Sequence, residues 1–156
     1  MIYVFDTSSI RSLQHFYPSV FKTIWDGLEA LVQQQQLIST REVWNEVQTQ
    51  NISEDVLNWV KNNKQIFTTP SEKELQFVVQ IFQKLHFQSL ISAQSRLKGT
   101  PVADPFVIAC AKTLGGTVVT EEQFKPNAAK IPNVCQYFGI PCIDLEEFMK
   151  QQDWKF

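Results

Sequence analysis

Several acidic residues follow a predicted strand, open a predicted helix or, in the case of Glu46, lie in the helix after the second predicted strand. They are Asp6, Glu46, Asp104, Glu121 and Glu122. Carboxylates drawn into one place repel one another and raise one another's pKa unless a cation lies between them. Oxygen ligands without Cys or His favour a hard ion such as Mg²⁺ or Mn²⁺. One or two such ions can activate a water molecule and stabilise a leaving oxygen, so the pattern suits phosphodiester hydrolysis.

The predicted sheet would bring these acidic residues close together. The run Ile2–Phe5 has no polar break, which is typical of a strand buried on both faces of a parallel sheet, and Asp6 follows it directly. Sites in such sheets form outside the carboxyl ends of the strands. Glu121 and Glu122 follow the predicted strand Thr117–Thr120. Because consecutive residues leaving a strand face opposite ways, only one of the two glutamates is expected to face the site.

Asp6 and Asp104 also have structural explanations. Either can cap a helix, because Asp accepts hydrogen bonds from the free amides of a first helical turn. Pro105 after Asp104 is itself a helix-start signature. For Asp6 we favour the functional interpretation, because a lone buried charge is costly unless a cation or donors compensate it. For Asp104 both interpretations stay open, and capping need not exclude metal binding.

Two glutamates, Glu42 and Glu46, lie four residues apart on one predicted helical face. The segment Ser39–Glu42 has the form of a capping box, so we expect Glu42 to reach back to the amide of Ser39. Glu46 has no local partner of that kind and neighbours apolar Val43 and Val47, which favours a place at the edge of the buried face. The alternative is a Glu46 that is simply solvated.

The remaining elements follow from apolar periodicity and helix-start signals. The predicted strands lie at Ile2–Phe5, at Leu37–Ile38, at Thr117–Thr120 and up to Ile143. The predicted helices run from about Pro18 to Gln36, from about Thr40 to Gln48, from Ser53, from Ser71 to about Lys98, from Phe106 to Leu114 and around Leu145 to Met149. Strands alternating with helices predict a three-layer α/β/α sandwich with a mainly parallel sheet. The 156 residues contain no Gly/Ser/Pro-rich linker, so we expect one domain over residues 1–156.

Composition narrows the class of protein. The formal net charge of −2 argues against nucleic-acid binding through a large basic surface. Three cysteines and two histidines make disulfides and a structural zinc site unfavourable interpretations. No apolar run predicts a membrane span or a secretory signal, so we expect a soluble cytoplasmic protein without membrane attachment. Some basic residues flank the acidic segments, and each is a candidate phosphate contact or ordinary solvated surface: Arg11, Arg41, Arg96, Lys98 and Lys112.

Taken together, these pieces resemble the PIN domain, the nuclease fold of VapC-type toxins, and most closely a compact bacterial branch of PIN-like proteins. The matching segments are V-F-D-T-S-S at 4–9, S-T-R-E-V-W-N-E-V at 39–47, A-D-P-F-V-I-A-C-A at 103–111 and V-V-T-E-E at 118–122. They follow the family's order: a first Asp, a central Glu, a second Asp before a small-residue helix, and an acidic group after a strand-ending Thr. The ordered set spans residues 4–122.

The resemblance assigns roles that the pattern alone does not. Asp6, Glu46 and Asp104 would be metal-coordinating carboxylates, and the family's T-x-D points from Thr120 to Glu122. Glu in place of Asp is a departure, so Glu121 stays an alternative ligand. Ser8 would orient the first carboxylate or a water. The resemblance also implies four or five parallel strands, ribonuclease activity and a homodimer, often with a neutralising antitoxin.

The predicted function is therefore a Mg²⁺- or Mn²⁺-dependent endoribonuclease, the toxin of a toxin–antitoxin pair. Alternatives are a catalytically silent PIN-like module for protein interaction or RNA binding, and a DNA nuclease of the same metal class. A haloacid-dehalogenase phosphatase would need a second acid where Ser8 stands. The apolar surface expected on the helix from Ser71 to about Lys98 suits a dimer or antitoxin interface, or extra core packing.

Overall fold

Five parallel strands form the central sheet of the computed structural model, which describes residues 1–90 and 102–155. The strands are β1 (Tyr3–Phe5), β2 (Leu37–Thr40), β3 (Phe67–Thr68), β4 (Thr117–Val119) and β5 (Cys142–Ile143). Their spatial order is β3-β2-β1-β4-β5. Val4 of β1 stands level with Ile38 of β2 and Val118 of β4, so the first strand occupies the centre. The predicted number of strands and their parallel direction are confirmed.

Helices cover both faces of this sheet and complete a three-layer α/β/α fold. They are α1 (Thr7–Ser12), α2 (Lys22–Gln33), α3 (Arg41–Val47), α4 (Glu54–Asn62), α5 (Glu72–Phe82), α6 (Asp104–Leu114), α7 (Ile131–Phe138) and α8 (Leu145–Gln151). Short 3₁₀ segments lie at Leu13–His15, Lys64–Ile66 and Leu85–Leu90. Among the described residues, no helix combines the length and apolar character that crossing a bilayer requires.

The first strand is buried on both faces, as its sequence predicts. Tyr3 and Phe5 point to the same side of the sheet, where the ring of Phe148 from α8 meets both edge-on, at centroid distances of 4.9 and 5.0 Å. Val4, between them, points to the opposite side and is also fully buried, and α6 packs against the same strand. With no exposed face, the strand holds the residue that follows it, Asp6, at a fixed position in the molecule.

Two predicted helix starts are confirmed by their caps. Ser53 accepts a hydrogen bond from the amide of Val56 at the start of α4, and Ser71 accepts one from the amide of Glu74 at the start of α5. The predicted capping box at Ser39 is wrong. Thr40 caps α3 instead. The hydroxyl of Ser39 donates to the carbonyl oxygen of Phe5 at 2.6 Å, which ties β2 to β1 and leaves the cap to the next residue.

The long helix predicted from Ser71 to about Lys98 is confirmed only as far as Phe82, where α5 ends, and is wrong for the residues that follow, up to Leu90. The chain then turns into the 3₁₀ segment Leu85–Leu90, which places the ring of Phe87 against those of Tyr137 and Phe138. If α5 continued as a helix past Phe82, the ring of Phe87 would have to be buried by contacts from another direction. The rest of the predicted helix, residues 91–98, lies outside the described residues.

Candidate active site

Four of the five predicted acidic residues surround one pocket of about 220 Å³ at the carboxyl ends of the central strands. Each comes from a different segment: Asp6 follows β1, Glu46 lies in α3, Asp104 opens α6, and Glu122 follows β4. We call this group the carboxylate pocket. Its other lining residues are Thr7, Ser8, Arg11 and Gln50. The structure thus brings together residues separated by more than one hundred positions in the chain.

Asp6 is held rigidly at the base of this pocket. It is 2% exposed, and its carboxylate caps α1 by accepting from the amide of Ser9 at 2.8 Å. The hydroxyl of Thr120 donates to the other carboxylate oxygen at 2.5 Å. Burial raises the pKa of Asp6, and the hydrogen bonds from Thr120 and Ser9 oppose that rise. The capping explanation is therefore correct for Asp6, and it coexists with a place in the pocket.

Ser8 connects the loops that follow β1 and β4. Its hydroxyl lies 2.8 and 2.9 Å from the two carboxylate oxygens of Asp6 and accepts from the amide of Glu121 at 2.9 Å. The hydroxyl of Thr120 in turn accepts from the amide of Glu122 at 3.1 Å. This network fixes the positions of Asp6 and the acidic loop relative to each other, which is the orienting contact that the family resemblance implies for Ser8.

Glu46 is half-buried, so the alternative of a fully solvated side chain is wrong. Its Oε2 accepts from the amide of Ala103 at 3.2 Å, which joins α3 to the start of α6. Burial raises its pKa, and the charges of Asp6 and Glu122 raise it further. The hydroxyl of Thr7 is near enough to favour the charged form of Glu46, yet it completes no hydrogen bond of normal geometry and is buried.

Asp104 does not cap the helix that it opens. The cap position of α6 belongs to Ala103, and no side chain caps the first turn. Burial raises the pKa of Asp104 to about 8, and the charges of Glu122, Asp6 and Glu46 contribute to this rise. The purely structural explanation of this aspartate is therefore wrong. Without a cation beside it, this carboxyl is therefore mainly protonated at neutral pH, and a cation in the pocket would favour its charged form.

The two adjacent glutamates after β4 separate as strand geometry predicts, and the structure distinguishes them. Glu122 faces the carboxylate pocket, and its Oε2 accepts from the amide of Ile131 at 3.1 Å. Burial raises the pKa of Glu122. Glu121 is exposed and turns away, with its Oε1 accepting from the amide of Leu145 at 2.7 Å. The alternative in which Glu121 is the metal ligand is not favoured by this geometry, because Glu121 does not line the carboxylate pocket and its carboxylate accepts from the first amide of α8.

The donor set suits a hard divalent ion, because it consists of carboxylate oxygens with hydroxyl oxygens beside them. Glu46 and Glu122 each anchor one oxygen on a backbone amide. Thr7 adds an unpartnered hydroxyl oxygen within the same pocket. In the part of the chain that the structure describes, however, no three His, Cys, Asp or Glu side chains already stand in ligating geometry. Ligation would therefore require side-chain movements that bring the carboxylates together.

Of the three basic candidates that the structure describes, Arg11 lines the carboxylate pocket, and its Nη1 donates to Oε1 of Gln50 at 3.0 Å. Arg41 lies elsewhere, paired with Glu42 at 2.8 Å. Lys112 is in the last turn of α6. Lys130, which the sequence did not single out, lowers the pKa values of Asp104 and Glu122. The proline in the first turn of α7 is the sequence feature that could have indicated a helix start next to Lys130. Two further candidates, Arg96 and Lys98, fall outside the described residues.

Comparison with known proteins identifies the family of this chain. No curated protein matches it. The fold is similar to that in the "Crystal structure of PAE2754 from Pyrobaculum aerophilum", with a TM-score of 0.46, 13% sequence identity and coverage of 97% of this chain and 96% of that chain. The sequence pattern of a family described as "Domain of unknown function (DUF4411)" matches residues 3–156. The chain therefore belongs to the DUF4411 family.

Proposed function

We propose that the protein is a Mg²⁺- or Mn²⁺-dependent endoribonuclease with a PIN-like site. The observation that carries this proposal is the convergence of Asp6, Glu46, Asp104 and Glu122 on one pocket beside Arg11. Four segments of chain contribute one carboxylate each, and the resulting repulsion is a cost that a divalent ion offsets. The order of the acidic segments and the PIN-like motifs support the same proposal.

Each part of the pocket has a role in this reaction. The four carboxylates would hold the divalent ion, with Asp6 fixed by Ser8 and Thr120 and the other three adjusting around it. The ion, when bound, supplies charge to activate a water and to stabilise the leaving oxygen. Arg11 binds a phosphate oxygen of the substrate through its guanidinium, whose planar set of donors matches phosphate. Gln50 restrains Arg11 at the pocket.

The protein's charge determines how RNA is held. A net charge of −2 provides no general attraction for a polyanion, so the substrate is bound locally, at Arg11 and the divalent ion. The free thiols of Cys110, Cys135 and Cys142 agree with a reducing cytoplasm. The PIN-like resemblance adds the proposals of a toxin role, an antitoxin partner and a homodimer. Exposed Leu75 and Val79 on α5 offer apolar surface for one such interface.

The test is cleavage of RNA by purified protein in Mn²⁺, on single-stranded and structured substrates, with DNA of the same sequence as comparison. Asp104→Asn should abolish cleavage, and a chelator should abolish it in the wild type. Glu42→Gln is the matched control, because Glu42 is a buried glutamate of α3 outside the pocket. Activity that survives in Asp104→Asn would mean a contaminant or another site. Sedimentation of the wild type at micromolar concentration tests the homodimer.

A catalytically silent module is the second candidate, and one observation favours it. The Asp6 carboxylate already accepts hydrogen bonds from Ser8, Ser9 and Thr120, and no ligand triad is preformed in the described residues. Calorimetry separates the two candidates. Mn²⁺ binding that disappears in Asp104→Asn supports the nuclease. RNA binding without any Mn²⁺ binding supports the silent module.

A further inference from the structure

A second and larger cavity, of about 440 Å³, lies beside the carboxylate pocket and has no role in the chemistry described so far. Its size falls within the roughly 300–1,000 Å³ that is usual for small-molecule sites. Four apolar side chains line it: Phe16, Leu145, Met149 and Trp154. Ser12 and His15 add polar groups at the end of α1 and in the turn after it. The cavity therefore combines aromatic surface with a few hydrogen-bonding groups.

Trp154 is held in this wall by specific packing. Its ring meets that of Phe148 edge-on at 5.5 Å. On its other side lies Gly27 in the middle of α2, where an added Cβ would fall 2.1 Å from an indole carbon. Any larger residue at Gly27 would displace the indole. The indole of Trp154 is thus packed between α2 and α8, and part of it still faces the cavity.

The cavity adjoins the carboxylate pocket through α1 and the acidic loop. Ser8 lines the pocket, and Ser12, one helical turn further along α1, lines the cavity. One turn corresponds to roughly 6 Å along the axis. On the other side, Glu121 lines the cavity while Glu122, the next residue, lines the pocket. The cavity and the pocket are therefore built on the same two elements, α1 and the loop that follows β4.

We propose that this cavity is a base subsite, which holds one unpaired nucleobase of the nucleotide adjoining the scissile phosphate. The inference rests on the proposed ribonuclease function and specifies its substrate as single-stranded RNA. Proteins recognise unpaired bases by stacking them on aromatic side chains and by hydrogen bonds to the base edges. Phe16 and Trp154 supply the aromatic surface, and Ser12 and His15 supply the polar groups.

The charges at the cavity's edge favour a base over a phosphate. Lys150 and Glu146 both line it and pair with each other at 3.2 Å, so the charge of the lysine is accompanied by an opposite charge at the same edge. Glu121 adds a negative charge that would repel a phosphate. Arg11, by contrast, lies at the carboxylate pocket. The two neighbouring sites therefore divide a nucleotide between them, with its phosphate at Arg11 and its base in the cavity.

The first test measures binding without requiring catalysis. Indole N–H signals of the four tryptophans are recorded by NMR while each of the four ribonucleoside 5′-monophosphates is added to the protein. The Trp154 signal is the one that disappears in Trp154→Phe. A nucleotide should shift this signal and leave that of Trp44, which packs against Phe67 elsewhere, unchanged. No shift of the Trp154 signal with any of the four would overturn the base subsite.

The second test uses cleavage of an oligoribonucleotide at its mapped site, compared with versions that lack the base on either side of the cut. Trp154→Leu keeps an apolar contact with Phe148 but removes the aromatic face, and it should lower kcat/KM about tenfold on the intact RNA. Trp154→Phe should retain most of the activity. On RNA without the relevant base, wild type and Trp154→Leu should cleave equally. Tyr17→Ala is the control, because Tyr17 is an exposed aromatic residue outside the cavity wall.

The outcomes separate the subsite from the ribonuclease proposal. An equal loss in Trp154→Leu on intact and base-free RNA would mean a structural role for Trp154 and would overturn the subsite while the nuclease stands. If no RNA is cleaved at all, the ribonuclease proposal fails, and the NMR titration alone then decides whether the cavity binds a base. Thermal unfolding of each variant verifies that it is folded.

Discussion

The molecule buries acidic side chains in two regions, and they differ in how the charge is compensated. The first is the carboxylate pocket. The second is the pair formed by Glu42 of α3 and Glu74 of α5, which we call the glutamate pair. Both of its members are buried, and Oε2 of each has no hydrogen-bond partner. Burial raises the pKa of Glu74, and the charge of Glu42 raises it further.

The difference shows why burial alone does not identify a functional site. Glu42 has a cation from its own chain, since Arg41 contacts it at 2.8 Å. In the carboxylate pocket, four carboxylates line a space with Arg11, whose guanidinium is bonded to Gln50 rather than to an acid. Glu42 and Glu46 lie one turn apart on α3, yet they belong to the two different regions. The space beside the carboxylates, not their burial, distinguishes the candidate site.

The largest expected effect is on activity. Glu46→Gln should lower RNA cleavage in Mn²⁺ on the order of 10²-fold or more, because it removes a charge that holds the divalent ion near the reacting phosphate. Glu42→Gln on the same helix should leave kcat/KM within about twofold, because Glu42 lies outside the carboxylate pocket and its charge is compensated by Arg41 rather than by the ion. Initial rates on one defined RNA measure both. Equal losses in the two variants would mean that the two regions do not differ in function.

Metal-dependent stability is the next test of the comparison. A ligand that binds only the folded state stabilises it by about 2.7 kcal/mol at one hundred times its Kd. For a chain of this size each kcal/mol moves Tm by about 2 to 4 °C, so saturating Mn²⁺ should raise Tm by roughly 5 to 10 °C. Calorimetric scans with Mn²⁺ and with chelator measure the shift. Glu42→Gln should keep it and Asp104→Asn should lose it, and an unchanged shift in Asp104→Asn would contradict the proposed ligand set.

The pH dependence of stability without metal follows from the raised pKa of Asp104. Folding raises this pKa from 3.8 to about 8, so between these values the folded state binds more protons than the unfolded state. The free energy of unfolding contributed by Asp104 is therefore present at low pH and lost as pH rises toward 8. In chelator, Tm should fall between pH 5 and pH 8, and less so in Asp104→Asn. A Tm that rises over this range with no difference between wild type and variant would refute the expectation.

The grouping of the four carboxylates around one pocket could be predicted from the sequence, because backbone topology dictates most of it. An apolar run without a polar break fixed β1 at the centre of a parallel sheet, and the carboxyl ends of such strands gather the residues that follow them. The choice between Glu121 and Glu122 depended on which helix start each carboxylate reaches, at Leu145 or at Ile131. The helix α7, which begins at Ile131, had no predicted counterpart, so that choice stayed open.

The elements predicted wrongly share a cause, which is competition between a local signal and a tertiary contact. Ser39 and Thr40 are adjacent hydroxyl residues and either can cap a helix, but the bond from Ser39 to Phe5 across the sheet decides between them. The apolar stripe beyond Phe82 satisfies helical spacing, whereas burial of Phe87 against Phe138 requires a turn. Neither tertiary contact has a signature in the local sequence.

The smallest expected effect separates the two arginines. Arg11→Ala should weaken RNA binding and reduce by about one the slope of log K against log salt, because one phosphate contact is lost. Its stability should change little, since Arg11 is exposed. Arg41→Ala should do the reverse: it leaves Glu42 buried without its cation, so Tm should fall while the salt slope stays unchanged. Binding is measured in the Asp104→Asn background to prevent cleavage. If both arginines altered the slope equally, RNA would be in contact with the surface near the glutamate pair as well as with the carboxylate pocket.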